Sequence, residues 1–518
     1  MSRRTATPVA APPSDRSPDH QTPVDTSGRT ARLLGIAPLA LAVLAVLVRL
    51  PFLTAPLTSD EGGFLMVGSQ WSPGASLYGS YWVDRPPGLI AIFAVVHALG
   101  GQVALRLVGA GAAALAVLAA GALGRHLAPS RRTAPALCAL LVLALVSSPL
   151  LDMAEVDGEI LALPLVLGGL VMLARAVEGG VGPRVHGVRV GWGVGAGAAG
   201  LAAASIKQNV ADVAVAAVVL ALALLLRRRW RDALALIGSV GCGAVVVAAA
   251  LLGLAVSRGT SLPGLWQAVV VFRVDASAVL AQYASAVVDA RGRTLLVAFV
   301  ATGAPVLLLA LGGLRWRASP WPWVLAAVLT WEGFGVVAGG SYWLHYLVGL
   351  VPGLVLLLAA SLHPPGTHDH GPRRVATRVG AGPGLALVVL SGAVGLCFLA
   401  AHPPTRPADQ QAVAEYLAAH REAGTSAVTA FGDPALLQQA GMHSPSPDLW
   451  SLPVRVHDPS LTAFSDLLRS PQRPQWVVMT GRSLRSWGLD ARTADRVLER
   501  RYTPAFRSGG LRVLARRD

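Results

Sequence analysis

Two short stretches carry charge where the rest of the chain carries almost none: Thr58-Ser-Asp-Glu-Gly-Gly-Phe-Leu65 and, about twenty residues later, Tyr81-Trp-Val-Asp-Arg-Pro-Pro-Gly88. They put Asp60, Glu61, Asp84 and Arg85 just after the first long apolar run. Ionisable groups at a membrane boundary are costly unless paired or functional, so this is the first place to look for chemistry. Asp or Glu supplies a general base, and Arg a bidentate partner for phosphate. A second acidic stretch, Leu151-Asp-Met-Ala-Glu-Val-Asp-Gly-Glu-Ile160, brings Asp152, Glu155, Asp157 and Glu159. Were it helical, Asp152, Glu155 and Glu159 would share one face. Carboxylates that close repel unless a cation joins them, so the group reads either as a divalent-metal or acceptor site or as a solvated loop capping a helix amino terminus.

Three further residues stand out. Lys207, in Ser205-Ile-Lys-Gln-Asn209, is the one lysine among 43 basic residues, placed to meet a phosphate or simply to snorkel from a helix end. Arg273 lies with Asp275 in an expected loop, and His345 rises from an aromatic cluster, Gly339-Gly-Ser-Tyr-Trp-Leu-His-Tyr346, that would otherwise read as an interfacial belt. His363, His368 and His370 fall among Pro and Gly and read as linker.

The elements that must position these residues follow from composition. The chain has 518 residues, 53% hydrophobic and 14% charged, with a mean hydropathy of +0.56. That excludes an ordinary soluble domain. The net charge of +15 is spread as short arginine clusters between apolar runs, a membrane-topology pattern rather than a nucleic-acid-binding face. Cys138, Cys242 and Cys397 all sit inside apolar runs, so neither a disulfide framework nor zinc spacing is implied.

A helix needs about 20 apolar residues to cross the hydrocarbon. That length places spans near 33–53, 104–124, 134–151, 159–175, 190–206, 209–226, 233–257, 294–314, 322–338, 344–361 and 381–401, about eleven in all. The arginine clusters alternate sides if the amino end is cytoplasmic, which puts the acidic stretches outside. Pro87 to Gly101 is apolar but short, and suits an interfacial helix. Residues 1–30 are too polar to fold and read as a disordered cytoplasmic tail. Residues 31–401 form the membrane domain, and 402–518 an extracytoplasmic α/β domain with strands expected at 426–431, 475–480 and 511–516. The expected fold is therefore an all-α polytopic membrane protein with a carboxyl-terminal soluble α/β domain.

In this order, Asp60-Glu61, Asp84-Arg85-Pro86-Pro87, the acidic second loop before Pro164, Lys207-Gln208, and His345-Tyr346 ahead of Pro352 resemble the GT-C superfamily of membrane glycosyltransferases. The resemblance is to the branch of protein O-mannosyltransferases and lipid A aminoarabinose transferases, and covers roughly residues 33–360. It implies a polyprenyl-phosphate sugar donor, a glycan, lipid or protein acceptor outside the membrane, and transfer with inversion. Asp60, with Glu61 beside it, takes the catalytic-base position. Arg85 takes the donor-phosphate position where relatives often carry Lys, with Lys207, His345 and Arg273 in support. A divalent metal is expected at Asp84, Glu159 or Asp157, with Glu159 preferred as the second-loop partner. Gly88 departs from the Leu that often follows the prolines. The rival readings are a lipid-linked-glycan flippase or transporter, for which Asp212 and Glu332 would be the intramembrane acids, and an inactive polyprenyl-phosphate-binding scaffold.

Overall fold

A computed structural model describes residues 26–70, 77–178, 183–282, 286–316, 319–362, 372–481 and 483–517. The three linker histidines, and residues 1–25 of the expected tail, lie outside them. A helix already begins at Thr26.

All eleven expected spans are helical, but fewer are full-length. Among the described residues eight helices are long and apolar enough to cross a membrane: Leu34–Phe52, Gln102–Leu127, Gly158–Val177, Trp230–Ser257, Leu262–Ala281, Trp321–Ala338, Leu344–Ser361 and Gly380–Ala401. A ninth is the pair Ala286–Ala301 and Ala304–Gly313, bent by 65° at Gly303, whose φ of +78° breaks the helix. Ala134–Val146 and Asp212–Leu226 are short apolar helices. Pro183–Ile206 is 24 residues long but rich in Gly and Ala. Apolar runs ending in Pro149 or opening at Asp212 are trimmed by turns, so their helices are shorter than the runs themselves. One helix was not expected: the stretch around Arg273, read as a loop, is helical from Leu262 to Gln282, with a π-helical turn at Gln267–Val271. Apolar residues interrupted by an arginine hid that helix.

Pro87–Ala98 forms the expected short helix, with Pro87 at its first position where no amide hydrogen is required. A Cβ on Gly88 would stand 2.2 Å from Ser205 Oγ. Glycine here lets the short helix rest directly on the end of Pro183–Ile206, two residues before Lys207.

The carboxyl-terminal region folds as a four-stranded sheet, β1 (Ala427–Ala430), β2 (Trp476–Met479), β3 (Tyr502–Ser508) and β4 (Leu511–Arg516), in the order β1-β2-β4-β3. The β1-β2 pair is parallel and the other two are antiparallel. Strand β3 was not expected, since its Pro504 and alternating exposure dilute the apolar pattern. Helix Ala408–Ala419 covers one side.

This domain docks onto the first loop. A Cβ on Gly62 would meet Ala435 Cα at 2.4 Å, and one on Gly63 would meet the Trp450 ring at 2.1 Å. The two glycines after Asp60-Glu61 therefore make room for the domain. Trp450 packs on Phe64 with ring centroids 5.5 Å apart. Trp82 N donates to Pro447 O (2.8 Å), Ser444 N to Tyr81 Oη (3.1 Å), and Arg406 Nη2 to Leu57 O (3.2 Å).

Candidate active site

Helix Ser59–Ser69 opens with a capping box: Glu61 N donates to Thr58 Oγ1 (3.3 Å) and Thr58 N donates to Glu61 Oε2 (2.9 Å). The Glu61 carboxylate is fully buried. Arg106, from Gln102–Leu127, grips both of its oxygens, and Val156 N donates to Oε1 (2.7 Å). Arg106 also donates to Pro56 O (3.0 Å). Glu61 thus ties the first loop, a membrane helix and the second loop into one knot, with no lone pair left for an acceptor. Glu61, expected beside Asp60 at the catalytic position, is held in this structure as a tie between elements.

Asp60 differs entirely. One residue along a helix turns a side chain by about 100°, and Asp60 is half-buried with no hydrogen bond or ion pair among the described residues. Burial pushes its carboxyl above the ordinary value, Arg85 opposes that shift, and Glu155 adds to it.

Asp84 is held between two guanidinium groups. Arg85 Nη1 reaches Oδ1 at 2.7 Å and Arg273 Nη2 reaches Oδ2 at 2.5 Å. Although burial pushes Asp84 up, Arg85 and then Arg273 hold it below the usual carboxylate value. Both oxygens of Asp84, expected as a metal ligand, face guanidinium groups in this structure. Gln208 Nε2 donates to Asp84 O (3.1 Å), and Tyr78 Oη donates to Arg85 O (2.9 Å), so the Asp-Arg corner is braced through its backbone. Lys207 pairs with Glu159 and lies 4.6 Å from the Tyr346 ring centroid.

The second loop is not one helical face. A 3-10 turn, Pro149–Leu151, ends in Asp152 with a left-handed φ of 54°, and the helix begins at Gly158. Asp157 caps that helix: its Oδ1 accepts from Glu159 N (3.0 Å) and Ile160 N (3.2 Å). The other oxygen, Oδ2, is buried and lacks a hydrogen bond, as does His345 Nδ1 only 3.1 Å away. His345 Nδ1 is also 3.5 Å from Glu155 Oε2 and 3.8 Å from Asp152 Oδ2. Two overlapping sets share this ring: Asp152, Glu155 and His345, and Asp157, Glu159 and His345, each with one ligand atom per residue within 4.8 Å of the others. Carboxylate oxygens with an imidazole nitrogen suit a divalent cation, and two neighbouring buried atoms without hydrogen-bond partners fit one. His345, expected on the phosphate side, sits on the acidic side instead. Burial pushes Asp157 well above its ordinary value, and Asp152 up to about 6.

Two positioning residues escaped the sequence reading. Arg49 donates to Met153 O and Val146 O, both at 2.7 Å, and pins the second loop to the first span. Arg106 is the other. The available signal was an arginine inside or ending an apolar run on the side where the alternation expects none.

Compared by sequence, the chain matches no protein-family model and no curated protein. Its fold, by contrast, is matched. The crystal structure of ArnT from Cupriavidus metallidurans bound to undecaprenyl phosphate aligns with a TM-score of 0.61 at 17% identity, over 95% of this chain and 98% of that one. The apo form of the same protein aligns at 0.56 and 15% identity, over 92% and 97%. The Archaeoglobus fulgidus oligosaccharyltransferase tethered with an acceptor peptide aligns at 0.53 and 10% identity, over 93% and 74%. The chain therefore shares the fold of these membrane-protein structures over nearly its whole length.

Proposed function

We propose that this chain is a membrane glycosyltransferase that moves a sugar, mannose- or arabinose-like, from a polyprenyl phosphate to an acceptor outside the cytoplasm with inversion. The observation that carries the reading is the split between neighbours: Glu61 is saturated by Arg106, while Asp60 is open and lies in the field of Arg85. ArnT, whose fold it shares, binds undecaprenyl phosphate. The Archaeoglobus oligosaccharyltransferase was solved tethered with an acceptor peptide, which supports an acceptor presented to this fold; we extend that to a glycan, lipid or protein.

An acceptor hydroxyl attacks the anomeric carbon and passes its proton to Asp60. The bond from that carbon to the phosphate oxygen breaks, with its electron pair leaving on the phosphate. Arg85, Arg273 and Lys207 meet that growing negative charge; each is already oriented by a carboxylate, Asp84 or Glu159. A divalent cation held by His345 with Asp157 and Glu159, or with Asp152 and Glu155, would screen the phosphate further when bound. The prenyl chain stays in hydrocarbon while the sugar is presented at the loops. In this orientation the amino end is cytoplasmic and the chain is a multi-pass plasma-membrane protein, with 402–518 as the outer domain.

The transporter reading has less support. Asp212 and Glu332 are buried, but they face each other as a single pair, and Gly353 N caps Glu332 Oε1 at 2.8 Å. Among the described residues no chain of acids leads on from them. Transfer from a labelled polyprenyl-phosphate sugar by the Asp60→Asn protein is the direct test, and undiminished transfer would sink the assignment. Arg85→Ala is expected to lower transfer by about 10²–10³-fold, the range for removing one stabilising donor.

A further inference from the structure

We infer that the carboxyl-terminal domain carries a binding groove for an anionic glycan, one bearing repeated carboxylates or phosphodiesters. This rests on the transferase reading only in making that glycan the extended acceptor; the groove itself stands on its own geometry. It lies far along the chain from the catalytic loops, between helix Arg492–Arg501 and strands β3 and β4, with a volume of about 740 Å³. Five arginines line it: Arg485, Arg492, Arg496, Arg512 and Arg517. Only Asp495 and Glu499 oppose them there.

The charge is segregated on a larger scale too. Residues 471–517 hold eleven arginines and three acids, a net +8 of the chain's +15. The internal pairings leave much of that charge available. Arg485 meets Asp495 only at 3.6 Å and is 62% exposed, and Arg492, although paired with Asp490 at 2.9 Å, is 74% exposed. Arg496 Nε is held by Arg492 O at 3.2 Å, which fixes the guanidinium on the rim.

Leu498, Pro504 and Leu514 add apolar lining beside the arginines. A site lined by both apolar carbon and guanidinium groups fits a sugar ring with anionic substituents, since rings cover apolar carbon and guanidinium forks take carboxylate or phosphate bidentately.

The test uses the full chain in nanodiscs of zwitterionic lipid. Three probes are titrated by calorimetry: a trigalacturonate for carboxylates, a glycerol-phosphate trimer for phosphodiesters, and maltotriose as the neutral control. At least one anionic probe is expected to bind, to weaken as salt rises from about 50 to about 500 mM, and to lose roughly tenfold or more in affinity in R485Q/R492Q/R496Q. Which anionic probe binds better names the substituent. Should the triple variant fail to fold, R496Q alone must still weaken binding. An R421Q/R469Q variant, changed at exposed arginines outside the groove, must bind normally.

The inference is overturned if maltotriose binds as well as the anionic probes, if neither anionic probe binds, or if R421Q/R469Q loses as much as the groove variant. It is also overturned if anionic lipid in the disc displaces the probe through the same three arginines, which would make the groove a headgroup site. The Asp60→Asn protein must keep full probe binding, so a failure of the transferase assignment and a failure of the groove are read separately.

Discussion

His345 Nδ1 and Asp157 Oδ2 stand 3.1 Å apart, both buried, and neither completes a hydrogen bond. They come from distant parts of the chain, one at the start of the 3-10 turn Leu344–Leu350 and the other from the cap of Gly158–Val177. A buried donor and acceptor left in this way are expensive without a third party.

A divalent cation is the expected third party. Purified protein should contain a divalent metal by elemental analysis, and H345A and D157N should each lose it while retaining far-UV helicity. Wild-type metal content in both variants would remove the site. Chelation should lower transfer, with recovery on adding the metal back.

The acid limb of the transfer reaction reports Asp60. The base must be unprotonated, and its pKa lies above the ordinary 3.8 because of burial, with Arg85 only partly opposing. Activity should therefore fall as pH drops through a point above 3.8, higher than a surface aspartate would give. A pH profile of kcat/KM that stays flat down to that value would show that Asp60 is not the base.

The knot at Glu61 is a stability element. Glu61→Ala leaves Arg106 buried without its counter-charge, a change that typically costs about 3–5 kcal/mol. The melting temperature in detergent should fall sharply. Removing Arg106 together with Glu61 should cost less than the sum of the single changes, because both charges then go.

The Gly62-Gly63 step is a docking element. Gly62→Ala places a methyl group against the Ala435 backbone, and overpacking of this kind costs about 1–3 kcal/mol. Hydrogen exchange should rise across residues 433–450, and transfer should fall, with the Asp60 side chain untouched. Unchanged exchange there would mean that the domain docks without this contact.

How legible this site was in the sequence depended on the kind of residue. Asp60 and Arg85 were visible because charge beside an apolar run demands an explanation, and Lys207 because it is alone of its type. Asp84 and His345 were recognised, but not the groups they face, since spacing along the chain does not say which guanidinium or carboxylate a side chain will meet after folding. Arg106 and Arg49 stayed hidden inside runs read only for length. The helix at 262–282 was missed for a related reason: Arg273 breaks the apolar pattern because it turns toward Asp84. The seating of Trp450 over Gly63 joins the ends of the chain, and no local pattern announces such a contact.

The solitary lysine makes the protein its own reporter. Apart from the terminal amine, an amine-directed reagent has one target in 518 residues, Lys207, whose ammonium is part-buried against Glu159 and Tyr346. Its labelling rate therefore reads the state of one ion pair at one site, with no background from elsewhere in the chain. Occupancy by a phosphate-bearing lipid becomes measurable by mass spectrometry on unmodified protein, without a mutation or a dye.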